Sequence, residues 1–178
     1  MKKYFKIILK TMIKKILYIS RSSNIFRKIL DIIIEENSQN LRKIITRNSY
    51  LLFYETNSLT KYRIDTFFQK EPETLEWIDG FKKKSEFWDV GANIGLYSIY
   101  AAKTKSCNVV AFEPSVFNLD LLARNIYANS VHKNINILPV ILANKRSMGL
   151  FQNSSIIHGT ALSTLIQNNN NLINTSMS

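Results

Sequence analysis

The chain has 178 residues, 46% of them apolar, and 24 Lys/Arg against 13 Asp/Glu for a net charge of +11. That apolar share supports one ordinary core with an extension and excludes disorder throughout. A single cysteine, Cys107, and two histidines, His132 and His158, exclude an intrachain disulfide and a zinc cluster, and they leave no convincing Ser/His or Cys/His pair for covalent catalysis.

The charge is uneven: residues 1–47 carry 12 Lys/Arg and 3 Asp/Glu, and residues 48–178 carry 12 and 10. The first 19 residues interleave Lys2, Lys3, Lys6, Lys10, Lys14 and Lys15 with Tyr4, Phe5, Ile8, Met12, Leu17 and similar apolar residues at helical spacing, which predicts a basic amphipathic helix. Its lysines interrupt every apolar run well short of the ~20 residues that a membrane span needs, and no signal-peptide core or small-residue cleavage site is present. Two readings stay open for it: a helix packed on its own domain with a solvated lysine face, and peripheral contact with an anionic membrane surface. Nucleic acid is not expected as a partner, because the lysines lack an arginine-rich or aromatic-stacking context. Cysteine usage and the absence of a span point to the cytoplasm, with the inner membrane surface as the peripheral site.

A polar break at 20–24 precedes a second amphipathic helix over 25–36, with Ile25, Ile29, Ile32 and Ile33 on one stripe. Residues 1–47 therefore read as a helical extension, 48–165 as the main domain, and 166–178 as an Asn/Ser-rich disordered tail. Within the main domain, 50–55 and 61–64 predict two short strands around an Asn57-Ser58 turn. Pro72 suits the first turn of a helix that runs to about Asp79 and stops at Gly80.

A βαβαβ rhythm follows: strand 86–90, helix 95–103, strand 108–112, helix 116–130 and strand 135–139, with a further short strand around 149–152. These connection lengths predict parallel pairing through right-handed crossovers. The first strand delivers Asp89 and the turn Gly91-Ala92-Asn93-Ile94-Gly95, and the second delivers Glu113. That is how an α/β sheet holds an adenosine-type ligand at the carboxyl ends of its strands. A dinucleotide fingerprint requires a glycine where Asn93 stands, so a diphosphate, and with it NAD, is disfavoured.

S-adenosyl-L-methionine suits the pattern better. Asp89 can accept from its ammonium, the backbone N–H groups of Gly91, Ala92, Asn93 and Gly95 can face its carboxylate, and Glu113 can take both ribose hydroxyls. An ordinary strand, turn and helix would explain the glycines alone. Asn118, just inside the helix after Glu113, reads as a surface or capping residue or at most as a supporting partner beside that acid; Arg124 and Lys133 read as surface charges, and His158 as a loop histidine with no acid identifiable to orient it.

Four stretches carry a family resemblance: Lys70 to Ile78, FWDVGANIGLYSIYAAK from Phe87, VVAFEPS and FNLDLLARNI from Val109, and Ala161-Leu162-Ser163-Thr164. Over about Arg63 to Leu165 the chain resembles the FkbM-type methyltransferases. The resemblance implies a class I, Rossmann-like, doubly wound parallel sheet. It also implies metal-free O-methylation of a hydroxyl on a sugar, polysaccharide or related metabolite, so a small-molecule or glycan acceptor is the expected partner. No catalytic base is identifiable. A complete sheet of that class needs about seven strands, so the sequence predicts an incomplete sheet whose Asp89 strand has an unpaired edge. A remnant that keeps only the cofactor half-site, or a membrane-surface interaction protein, is the alternative.

Overall fold

The computed structural model describes residues 40–47, 49–143, 150–152, 155–161 and 164–166, together with positions 4, 8, 10–12, 14, 15, 18 and 28 of the first segment. The chain divides into two compact units, Met1–Gln39 and Asn40–Ser178. In the first unit every described position is helical, and Tyr4, Ile8, Met12 and Tyr18 are exposed. The rest of the predicted helices over 1–19 and 25–36, and the tail from 167 onward, lie outside the described residues. No helix among the described residues is long and apolar enough to cross a membrane.

The second unit opens with an antiparallel hairpin of β1 (Leu41–Ile45) and β2 (Tyr50–Tyr54), in register from Leu41 opposite Tyr54 to Ile45 opposite Tyr50. Sequence alternation places β2 correctly but not its partner. The partner comes from a stretch assigned to the extension, and 61–64 is no strand: it lies inside α1 (Ser58–Asp65). The reason is a capping box. The Asn57 side chain accepts from the amides of Leu59 and Thr60, and Thr60 Oγ1 accepts from the Asn57 amide. Asn57-Ser58 thus starts a helix where the sequence predicts a hairpin turn. Arg42 ties β1 to this region through Glu55 at 2.5 Å and Asp65 at 2.8 Å.

Two short helices follow, α2 (Phe67–Lys70) and α3 (Pro72–Asp79), the latter with proline in its first turn and ended by Gly80 as expected. Then come β3 (Glu86–Val90), α4 (Leu96–Lys105), β4 (Asn108–Phe112), α5 (Val116–Ala128) and β5 (Ile135–Leu138). The three strands are parallel in the order β3-β4-β5, each helical crossover stepping one strand along, so this is the α/β architecture the rhythm predicts. A separate two-stranded ribbon pairs β6 (Leu150–Gln152) with β7 (Thr164–Ile166).

The core lies on one face of the parallel sheet. Phe87, Val109, Ala111 and Ile135 point into it beside Ile99, Ala101 and Leu122, and Leu51 and Phe53 of β2 close it. The opposite face is sparsely covered: Trp88 and Val90 are more than 60% exposed. Among the described residues β3 is an edge strand, which agrees with the expected unpaired side.

The hairpin is held to the sheet by asparagines. Asn129 accepts from the Leu52 amide at 2.9 Å and donates to the Leu52 carbonyl, while Asn125 accepts from the Tyr54 amide at 2.9 Å and donates to the Ile94 carbonyl at 2.8 Å. Spaced i, i+4 on α5, these amide side chains take the place of a third strand along the free edge of β2.

Candidate functional site

The end of β3, the Gly91–Gly95 turn and the start of α4 form one wall of a cavity of about 320 Å³. Arg63 and Phe67 from α1 and α2, Lys70, Glu71, and Thr74 and Trp77 of α3 line the same cavity. Helix α3 therefore helps to wall the pocket. Asp89, Gly91, Ala92 and Asn93 line the cavity; Gly95 and Glu113 do not.

Asp89 is 8% exposed, and a single one of its oxygens, Oδ2, takes both the Ser98 amide at 3.0 Å and the Ser98 hydroxyl at 2.5 Å. Gly95, the residue at the N-cap of α4, has no side chain to cap with, so Asp89 supplies that carboxylate from the neighbouring strand. Among the described residues nothing donates to the other oxygen, Oδ1. Burial pushes the Asp89 carboxyl above its usual range, with the Ser98 bonds pulling the other way and Glu113 adding to the rise.

The turn uses its amides differently from the sequence expectation. Gly91 and Ala92 both donate to the Phe112 carbonyl, Asn93 donates to Glu113, Ile94 to the Asn93 side chain, and Gly95 to the Ala92 carbonyl. All five N–H groups are committed within the chain, so none faces a bound carboxylate. The cause is the parallel register: Val90 lies opposite Phe112, which puts the Phe112 carbonyl under the turn as the chain leaves β3.

Glu113 also departs from expectation. It is 5% exposed; Oε2 accepts from the Asn93 amide at 2.7 Å, and Oε1 accepts from the Ser115 amide at 2.9 Å and Asn118 Nδ2 at 3.3 Å. The segment 157–160 is strapped beside it. Asn93 and Asn118 donate to the Thr160 carbonyl, Asn118 accepts from the Gly159 amide, Arg63 Nε donates to the Gly159 carbonyl at 2.6 Å, and Asn57 donates to the His158 carbonyl. Asn118 is 2% exposed, so it is no surface residue; it is the partner beside Glu113 that its position allows, and it also holds this strap. His158 accepts or donates at Thr56 Oγ1, 3.0 Å away, and lies 3.9 Å from Asp120, so it belongs to the strap and lies outside the cavity lining.

The two glycines have separate reasons. At Gly91, φ is +80° and the space for a Cβ is open, so conformation alone calls for glycine. At Gly95, φ is +87° and a Cβ would sit 2.5 Å from Leu122 Cδ1 and 3.3 Å from Ile99 Cδ1. Strain and overpacking together predict that Gly95→Ala costs about 3 kcal/mol, measured as a lowered urea midpoint. A loss below about 1 kcal/mol would show that α5 yields to the new methyl.

Tyr97, on the first turn of α4, donates to Glu71 at 3.0 Å, and Tyr100 donates to Asp79 at 2.9 Å. Burial and these carboxylates push the Tyr97 phenol well above its usual value and that of Tyr100 up to about 12, so both tyrosines are donors at neutral pH. Among the described residues no group of His, Cys, Asp and Glu could hold a metal ion.

No family model and no curated protein matches the chain. Among solved structures, it is similar to TYW2 of P. horikoshii in complex with MeSAdo, at 16% identity and a TM-score of 0.41 over 58% of this chain and 37% of that one. It is also similar to an RNA methyltransferase from Salinibacter ruber in complex with S-adenosyl-L-homocysteine, at 20% identity and a TM-score of 0.37 over 39% and 45%. A SAM-dependent methyltransferase from Aquifex aeolicus is similar at 19% identity and a TM-score of 0.38 over 46% and 45%. The chain spans less than half the length of each of these solved chains.

Proposed function

We propose that this chain carries the cofactor-binding part of an S-adenosyl-L-methionine-dependent O-methyltransferase, acting on a hydroxyl of a sugar, polysaccharide or related metabolite. One observation carries the reading. A buried carboxylate at the carboxyl end of a parallel strand, Asp89, keeps one oxygen without a donor on the wall of a cavity large enough for a small ligand. A buried acceptor that lacks a donor is costly, and an ammonium group satisfies it.

Asp89 would hold the amino group of the cofactor, and Gly91, Ala92 and Asn93 would line its path. Glu113 would meet the ribose once the 157–160 strap moves aside. Gly95 acts by packing. When bound, the cofactor supplies an electrophilic methyl group on a sulfonium. The protein's part is to fix that methyl in line with an acceptor oxygen, with the aromatic side chains of Trp77, Phe87 and Trp88 beside the cavity. Aromatic faces beside the cavity suit the apolar faces of a sugar ring, which is the support for the acceptor class.

Incubation of the full chain with methyl-labelled cofactor and a panel of monosaccharide, polysaccharide and RNA acceptors tests the reaction. Label transfer to a sugar hydroxyl is the expected result. Transfer to RNA alone would replace the acceptor class, and labelled cofactor left intact with every acceptor would contradict catalysis by this chain.

A further inference from the structure

We propose that Arg63 is the group that binds the carboxylate of the cofactor's amino-acid tail, pairing with Asp89 so that one cavity recognises a zwitterion. This rests on the adenosyl-cofactor reading above and assigns a part of the site that no sequence motif marks.

A carboxylate entering beside Asp89 cannot use the Gly91–Gly95 turn, because all five of its amides already donate within the chain. The start of α4 is a poor alternative. Asp89 already places a carboxylate there through Ser98, and a second anion at the same helix end meets its repulsion. The cation must therefore come from elsewhere in the lining, which offers Arg63 and Lys70.

Lys70 is exposed and paired with Glu71 at 3.4 Å. Arg63 is partly buried; its Nε is fixed on the Gly159 carbonyl, and among the described residues its two terminal amino groups have no hydrogen-bond partner. Anchoring Nε leaves the planar terminal fork pre-oriented, the geometry that takes a carboxylate through two parallel bonds. Burial lowers the guanidinium pKa, while Glu71 and Glu113 act against that fall, and an arginine stays charged at any working pH. A desolvated cation with spare donors gains most from an anionic ligand group.

The test compares S-adenosyl-L-homocysteine with S-adenosyl-3-thiopropylamine, which lacks only the carboxylate, by calorimetric titration of the full chain. The wild type should bind the first about ten- to a hundredfold more tightly. Arg63→Gln should reduce S-adenosyl-L-homocysteine to the affinity of the amine while leaving the amine within about twofold. Because Arg63→Gln also removes the Gly159 contact, Arg63→Lys is measured beside it. It keeps stem and charge but not the fork, and should cost roughly three- to tenfold for the carboxylate ligand alone.

Equal weakening of both ligands would make Arg63 a structural anchor of the strap and overturn the inference, as would unchanged discrimination in either variant. Failure of the wild type to bind either ligand is a different result: it overturns the adenosyl reading itself.

Discussion

Replacing Asp89 by asparagine is expected to weaken S-adenosyl-L-methionine binding roughly ten- to a hundredfold while leaving the fold at least as stable. The asparagine can still accept from the Ser98 amide and hydroxyl through its carbonyl oxygen, so the link between β3 and α4 survives. Its amide nitrogen then occupies the place of Oδ1 on the cavity wall and presents a donor where the ligand presents another donor. Affinity falls because an attraction has become a clash of like groups.

The stability side follows from burial. Asp89 titrates higher in the folded chain than in the unfolded one, so over the pH range between those two values the folded state binds more protons. Stability conferred by the wild-type residue therefore declines as pH rises through that range. The Asp89→Asn variant carries no such titration; its advantage in thermal midpoint should grow as pH rises through that range and vanish as the pH falls to the ordinary carboxylate value. A variant that lost stability and affinity together would show that Asp89 serves α4 alone.

The second large effect is structural. Asn125→Leu should destabilise the domain by about 2–4 kcal/mol, because it strands the part-buried Tyr54 amide and the buried Ile94 carbonyl, and orphaning such a group costs about 1–3 kcal/mol. Asn129→Leu strands both polar groups of Leu52 and belongs in the same range. Urea unfolding gives the magnitude, and amide exchange at Leu52 and Tyr54 gives the cause, since those two protons should lose protection in the matching variant. Loss below about 1 kcal/mol would mean that water replaces the asparagines at no cost. Asn125 also reaches into the cofactor turn at Ile94, so its replacement should loosen the site as well as the hairpin.

These asparagines mark where sequence and structure part. The parallel strands are legible because each is a short apolar run between helical stretches, and Asp89 is legible because it ends one of them. Asn118, Asn125 and Asn129 look like solvent residues, yet they fall on the same helical stripe as Leu121, Leu122 and Ile126, and a polar residue on an apolar stripe signals a buried hydrogen-bonding task. The β1–β2 pairing escapes the sequence because Asn57-Ser58 suits a turn and a helix cap equally, and Thr60 three residues on is the sign that favours the cap.

The use of the turn amides cannot be read from sequence, since it depends on which carbonyl the neighbouring strand brings beneath the turn. Arg63 is invisible for a similar reason: one arginine on a short helix acquires meaning from the strap that holds its Nε and from the cavity its side chain lines.

The chain's two tryptophans, Trp77 and Trp88, both line the cavity beside Asp89, so their fluorescence reports on that site without a label. Titrating the full chain with S-adenosyl-L-homocysteine while following tryptophan emission tests the central claim most directly. The account predicts a saturable change in the wild type that moves to much higher ligand concentration in Asp89→Asn and does not occur with NADH. A flat titration, or saturation unaffected by Asp89→Asn, would contradict it.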